Sequence, residues 1–186
     1  VATFKSVFVD TKIKATEAFK NLFTNSSYNI QRFYCKAFSE ALEEVVENFK
    51  PHFIQLEGLY LMSYVEEIRK LSNAKIIFRP HNFESEIWSR AAANQKGPLK
   101  FYLQLLAKRI KKYELNNLNT ADAIIPISKP DADWFIKNGC SKPMHVSVVG
   151  VDLKTEVLHL VKEPLSVFHI GAMDWQPNVK GVLWFI

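Results

Sequence analysis

A chain of 186 residues, 48% hydrophobic and 13% aromatic, can bury a sizeable core, which excludes an intrinsically disordered chain. Its formal net charge of +5 is mildly basic and favours anionic partners such as phosphates, sugar nucleotides or acidic lipids. It lacks the dense Lys/Arg clustering of a nucleic-acid binder, and no apolar run approaches the ~20 residues needed to cross a bilayer.

No signal peptide is visible, but the chain begins at Val1 rather than Met, so little follows about a leader. Cys35 and Cys140 stand far apart, outside any metal-ligand spacing, and read as reduced thiols of a cytosolic protein. Asn25-Ser26-Ser27 fits the glycosylation pattern; here it reads as chance or as helix-capping chemistry.

In chain order, residues 1–9 form a partly apolar lead-in. Helical spacing follows over residues 14–23, and a longer helix is predicted from Asn29 to Phe49, where Pro51 ends it. Residues 53–57 read as a strand closed by Gly58, and the next segment is helical, with Leu61, Tyr64, Val65, Ile68 and Leu71 on one face. A second strand is predicted over residues 74–78 and a helix over 84–93. Pro98 opens a long amphipathic helix running to about Asn119. A strand at 121–127, a short helix at 131–137 closed by Asn138-Gly139, and a strand at 144–149 come next. A polar connection then leads to a fresh strand at 165–170 and a helix starting at Val179. Strands alternating with helices argue a doubly wound, parallel α/β sheet.

The segment Phe78-Arg79-Pro80-His81-Asn82-Phe83-Glu84 carries the most chemistry. It places Arg79, His81 and Asn82 on the loop after a strand, the edge where open α/β sheets bind ligands. His81 can donate or accept a proton near neutral pH, so it is the candidate for contacting a hydroxyl or a departing group. Its structural alternative is capping the following helix. Asn82 reads as a natural N-cap, and Glu84 suits the positive end of a helix dipole; contact with an acceptor hydroxyl is the alternative for both. Arg79 suits a phosphate or an acceptor anion, or equally a salt bridge to Glu57 or Glu84. Glu57 and Gly58 end the preceding strand near the same loop, where the glycine allows a sharp turn or close approach of a ligand. Tyr60 reads as packing. Ser128 ends the third strand and either caps the next helix or donates into a cleft.

Several motifs together resemble the bacterial glycosyltransferases of family 4, the group 1 transferases of the GT-B fold. They are Gln55-Leu56-Glu57-Gly58-Leu59-Tyr60, Arg79-Pro80-His81-Asn82-Phe83-Glu84, Lys112-Tyr113-Glu114, the run from Ala121 to Ser128, Gly150-Val151-Asp152, and the run from Phe168 to Asn178. They occur in the family's order. The resemblance implies a Rossmann-like parallel sheet with helices on both faces. Residues 1–152 would be an acceptor-side domain lacking its first strand, 153–164 a linker with Gly150 at the hinge, and 165–186 the truncated start of a donor-side domain.

The same resemblance implies transfer of a sugar from a nucleotide-sugar to a glycan or lipid-linked acceptor, with retention and no bound cofactor or metal. His81 would be catalytic, with Glu57, Gly58, Arg79, Asn82, Glu84 and Ser128 on the acceptor side. Gly171, Asn178 and Lys180 would contact the donor. The Arg and Lys that many relatives use for the diphosphate are replaced here by Asp174, Trp175 and Asn178, with Lys180 as the nearby cation. The implied location is cytoplasmic, at the inner face of the membrane. There the lysines of the Pro98 helix would meet anionic lipid, unless that face is simply solvated. A non-catalytic α/β binding domain and a sugar-nucleotide enzyme such as an epimerase are the competing readings. The absence of a Gly-x-Gly-x-x-Gly fingerprint and of a P-loop argues against dinucleotide and ATP binding.

Overall fold

Strands β1 (Phe53–Glu57), β2 (Lys75–Arg79) and β3 (Ala123–Ile124) lie side by side, all parallel, in the order β1-β2-β3. Residues 4–150, 165–173 and 176–186 are described by this computed structural model, which divides into Val1–Val149 and Gly150–Ile186.

β1 and β2 form because short apolar runs are bounded by chain-breaking residues. Ile76, Phe78, Leu56 and Ile124 are buried, as in a sheet covered by helices. The register pairs Leu56 with Phe78 and Glu57 with Arg79, so the carboxyl ends of β1 and β2 finish level. Parallel neighbours need crossover connections. A 3₁₀ turn (Leu59–Tyr64) and helix α4 (Val65–Leu71) link β1 to β2; α5 (Glu84–Ala93) and α6 (Gly97–Asn116) link β2 to β3. On α6, Leu106, Ala107, Ile110 and Glu114 share the buried face, at helical spacing. The core gathers Ile30, Leu59, Tyr64, Ile68, Ile76, Ile110, Ile124 and Phe135.

Helix α1 (Ala15–Asn21) starts one residue later than its apolar pattern and ends sooner. Arg109 of α6 donates to the backbone oxygen of Asn21 at 2.8 Å and to its side-chain oxygen at 2.9 Å, which ties this amino-terminal segment to the core. The predicted helix over 29–49 is two helices, α2 (Tyr28–Gln31) and α3 (Lys36–Phe49). The break is stabilised by Tyr64, whose hydroxyl accepts the Cys35 N–H at 2.8 Å and donates to the Phe33 oxygen at 3.2 Å. Phe33 also stacks on Tyr60, ring centroids 4.0 Å apart. Ser27 stands at the cap position of α2 without a side-chain cap bond.

The third strand is shorter than the predicted 121–127, because Pro126 has no N–H to continue a ladder. The predicted strand at 144–149 is only a parallel bridge between Ile124 and Met144, extended by single bonds from His145 and Ser147 to the backbone of Ile124 and Pro126. Helix α7 (Lys129–Lys137), with Ser128 as its N-cap, begins earlier than residue 131. In the second unit, residues 165–170 are not a strand; Val167, Phe168 and Ile170 are exposed. A strand needs a neighbour for its amides, and no strand of that unit is present among the described residues to give one. Helix α8 (Gln176–Phe185) starts ahead of the predicted Val179. The expected linker at 153–164, together with Asp152, Asp174 and Trp175, lies outside the described residues.

Candidate functional site

The level ends of β1 and β2 bring Glu57 and the residues after Phe78 together. Gly58 turns the chain away from β1 with φ 96° and ψ 161°, a conformation for which glycine is suited. Its N–H donates to the Arg79 oxygen at 2.9 Å, so the turn continues the pairing of the two strands.

Glu57 is the hub. Its Oε2 lies 2.5 Å from His81 Nε2 and 3.5 Å from Arg79 Nη1, while Oε1 accepts from the Gln55 amide. Burial pushes the Glu57 carboxyl up, but the hydrogen bonds from Gln55 and His81 and the Arg79 charge outweigh it and hold the group below its usual value. An ionised Glu57 is an acceptor, so in this contact the Nε2 of His81 donates and the ring is oriented by the carboxylate. The His81 side chain is 48% exposed. A histidine oriented by a carboxylate can take or share a hydroxyl proton of a ligand. Arg79 is engaged by Glu57, the salt-bridge alternative of the sequence reading.

The next turn of chain is held by two carboxyl groups. Phe83, not Asn82, occupies the N-cap of α5, and it has no side-chain cap bond. The Asn82 expectation is therefore corrected by one position. The Ser85 amide is already taken by Glu114 from α6, at 3.2 Å to Oε1, and the Ser85 hydroxyl donates to Glu114 Oε2. Asn82 itself is exposed. Glu84 accepts from the Tyr60 hydroxyl at 2.8 Å, so Tyr60 both packs and anchors. Burial raises the Glu84 carboxyl, with the Tyr60 hydrogen bond and the Arg32 charge opposing, and burial likewise drives the Tyr60 hydroxyl far above its ordinary value. Glu114 is raised by burial against the pull of its Ser85 hydrogen bonds.

Pro80, Asn82 and Phe83 face Leu59, Phe78, Glu114, Asn117, Trp134 and Phe135 across a cleft of about 10 Å³. That is room for roughly one water-sized group. A larger group does not fit this cleft, whereas the Glu57–His81 face is exposed. At the end of β3, Ser128 caps α7, accepting the Asp131 N–H at 3.3 Å and donating to the Asp131 carboxylate.

In the second unit, a Cβ on Gly171 would come within 2.7 Å of Asn178 Nδ2 and of His169 Nε2, so a larger residue there would displace those two side-chain ends. Asn178 Nδ2 donates to the Ala172 oxygen at 3.0 Å. Lys180 is exposed on α8.

The structure thus gathers Glu57, Gly58, Arg79 and His81, sets Glu84 one turn beyond on Tyr60, and gives Ser128 a capping bond. Glu114 carries no functional signal of its own in the sequence. The signal it does carry is position: it falls four residues after Ile110, on the buried stripe of α6. Comparison with protein-family models, curated proteins and solved structures finds no match to this chain.

Proposed function

We propose that this chain forms the acceptor-side part of a retaining glycosyltransferase with Rossmann-like, GT-B architecture. The donor is a nucleotide-sugar and the acceptor a glycan or lipid-linked saccharide. The observation that carries the reading is the exposed His81 ring held by Glu57 at the carboxyl ends of two parallel strands. That edge is where open α/β sheets take ligands, and a ring nitrogen of His81 facing solvent suits a sugar hydroxyl. Arg79 adds a cation beside the hub, suited to phosphate or another acidic group.

In this reading Asn82 and Glu84 extend the acceptor contacts along the loop and into the first turn of α5. Gly58 lets a ligand approach the backbone, and Ser128 contributes from the end of β3. Gly171, Asn178 and Lys180 contact the donor, whose leaving diphosphate is stabilised by side chains and helix dipoles. No described helix is long and apolar enough to cross a membrane. Contact with a lipid-linked acceptor at the inner, cytoplasmic face is accordingly peripheral in this proposal.

The test is an isotope-labelled sample of the whole chain titrated with mono- and disaccharides and with nucleotide-sugars, followed by NMR. The expected result is saturable shifts centred on Gly58, Arg79, His81 and Asn82, lost in His81→Ala. Shifts confined to other surfaces, or unaltered by that substitution, would remove the carboxyl edge from the site. Binding without any sugar transfer by the intact gene product would favour a saccharide-binding module.

A further inference from the structure

Helix α5 starts without a cap from its own segment, since Phe83 at the cap position offers no side-chain oxygen. The first amides of a helix must then find partners elsewhere. Glu114 provides one from α6, accepting the Ser85 amide, and it takes the Ser85 hydroxyl as well. It is only 6% exposed. Glu114 also lines the water-sized cleft, together with Pro80, Asn82 and Phe83. His81 thus sits in the segment between the end of β2 and the Ser85 turn that Glu114 holds, flanked by Pro80 and Asn82 of that cleft. The ring's direct hydrogen bond is to Glu57, across the strands. Its placement has two determinants: Glu57 on one side and the height of the 80–83 loop on the other.

The carboxyl group at this position has a specific partner, the start of α5. Burying one is costly, and burial does raise Glu114 despite its hydrogen bonds. A buried ionisable group is weak evidence for stability, and an apolar side chain at such a place is often neutral or better. What an apolar side chain could not do is hold the start of α5.

We propose that Glu114 is a positioning residue, which sets the start of α5 and through it the height at which His81 meets Glu57. The importance of that ring rests on the transferase reading, whereas its positioning is measurable in the ligand-free protein. A failed sugar-transfer assay would thus leave this inference standing, and the reverse also holds.

The experiment records ring ¹⁵N signals of His81 and amide hydrogen exchange in the whole chain, without ligand. In Glu114→Ala the His81 Nε2 signal should move away from its carboxylate-bonded position. Exchange over residues 80–87 should quicken roughly tenfold, the scale of a lost helix cap, while β1 and α3 exchange as in the wild type. Glu114→Gln, whose amide can still accept from the Ser85 N–H, should restore most of the His81 signal. An unchanged ring signal in folded Glu114→Ala, or faster exchange spread evenly over the sheet, would overturn the proposal. If Glu114→Ala does not fold, Ser85→Ala decides. Having lost the hydroxyl bond to Glu114, it should quicken exchange in the same segment alone and move the His81 Nε2 signal, and a wild-type ring signal would equally overturn it.

Discussion

Glu57 and Glu114 are carboxyl groups of one small region that titrate in opposite directions, and each direction has a consequence for stability. Glu57 lies below its ordinary value of 4.5 because hydrogen bonds and Arg79 outweigh burial. The folded protein binds fewer protons there than the unfolded chain, so this stabilisation is present above about pH 4.5 and is lost as pH falls through the lowered value. With 40% of its side chain exposed, solvent screening limits the contribution to about a few tenths of a kcal/mol. Glu84 and Glu114 lie above 4.5 because they are buried. There the folded protein binds more protons than the unfolded chain, and stability declines as pH rises from about 4.5 through the raised values. Thermal melts of Glu114→Gln against wild type should therefore show a midpoint difference that moves in the variant's favour between about pH 4.5 and pH 8. A difference constant across that range would contradict the buried, perturbed carboxyl described here. The same residues show what sequence can and cannot carry. His81, Glu57 and Arg79 are legible because strand ends are legible and the register follows from them. Glu114 is hidden because a polar residue on an apolar stripe announces burial but not its partner. Asn82 misleads because cap preference is local, whereas a distant side chain already holds the first turn of α5.

Element boundaries follow the same division between local and distant causes. β1, β2 and α5 match their sequence patterns closely: the apolar runs are compact, and Pro51, Gly58, Asn73 and Pro80 punctuate them. The break between α2 and α3 is invisible in sequence, because Ile30, Phe33, Tyr34 and Phe38 continue the helical period straight through it. Its cause is the Tyr64 hydroxyl, which serves both freed backbone groups while its ring is 2% exposed. Tyr64→Phe leaves the Cys35 N–H and the Phe33 oxygen without that partner. The expected cost is about 1–3 kcal/mol, read as a lower urea midpoint with an unchanged slope. A midpoint equal to wild type would show that the break is held by packing alone. The strands at 144–149 and 165–170 fail for a further reason: alternation specifies a face, but a ladder needs a neighbouring strand of matching length. β3 offers two residues, and the described part of the second unit offers none.

At the scale of the molecule, the core belongs to the first unit. Every member of the main apolar cluster lies within Val1–Val149. In the second unit Leu183, Trp184, Phe185 and Ile186 are each at least 70% exposed. A protein ending after Val149 should keep the cooperative melt of the whole chain, and it should lose self-association driven by those side chains. Light scattering and melting curves over a range of concentrations check both. A truncated protein without a cooperative transition would show that the first unit depends on the second.

The reading of function stands on the Glu57–His81 edge, and turnover tests it most directly. The intact gene product is incubated with nucleotide-sugars and saccharide acceptors, and nucleoside diphosphate release is followed for wild type, His81→Ala and Glu57→Gln. The account predicts acceptor-dependent release that falls roughly a hundredfold or more in His81→Ala and by a smaller factor in Glu57→Gln, whose amide still orients the ring. Release that is undiminished in His81→Ala, or no release with any donor, would contradict it.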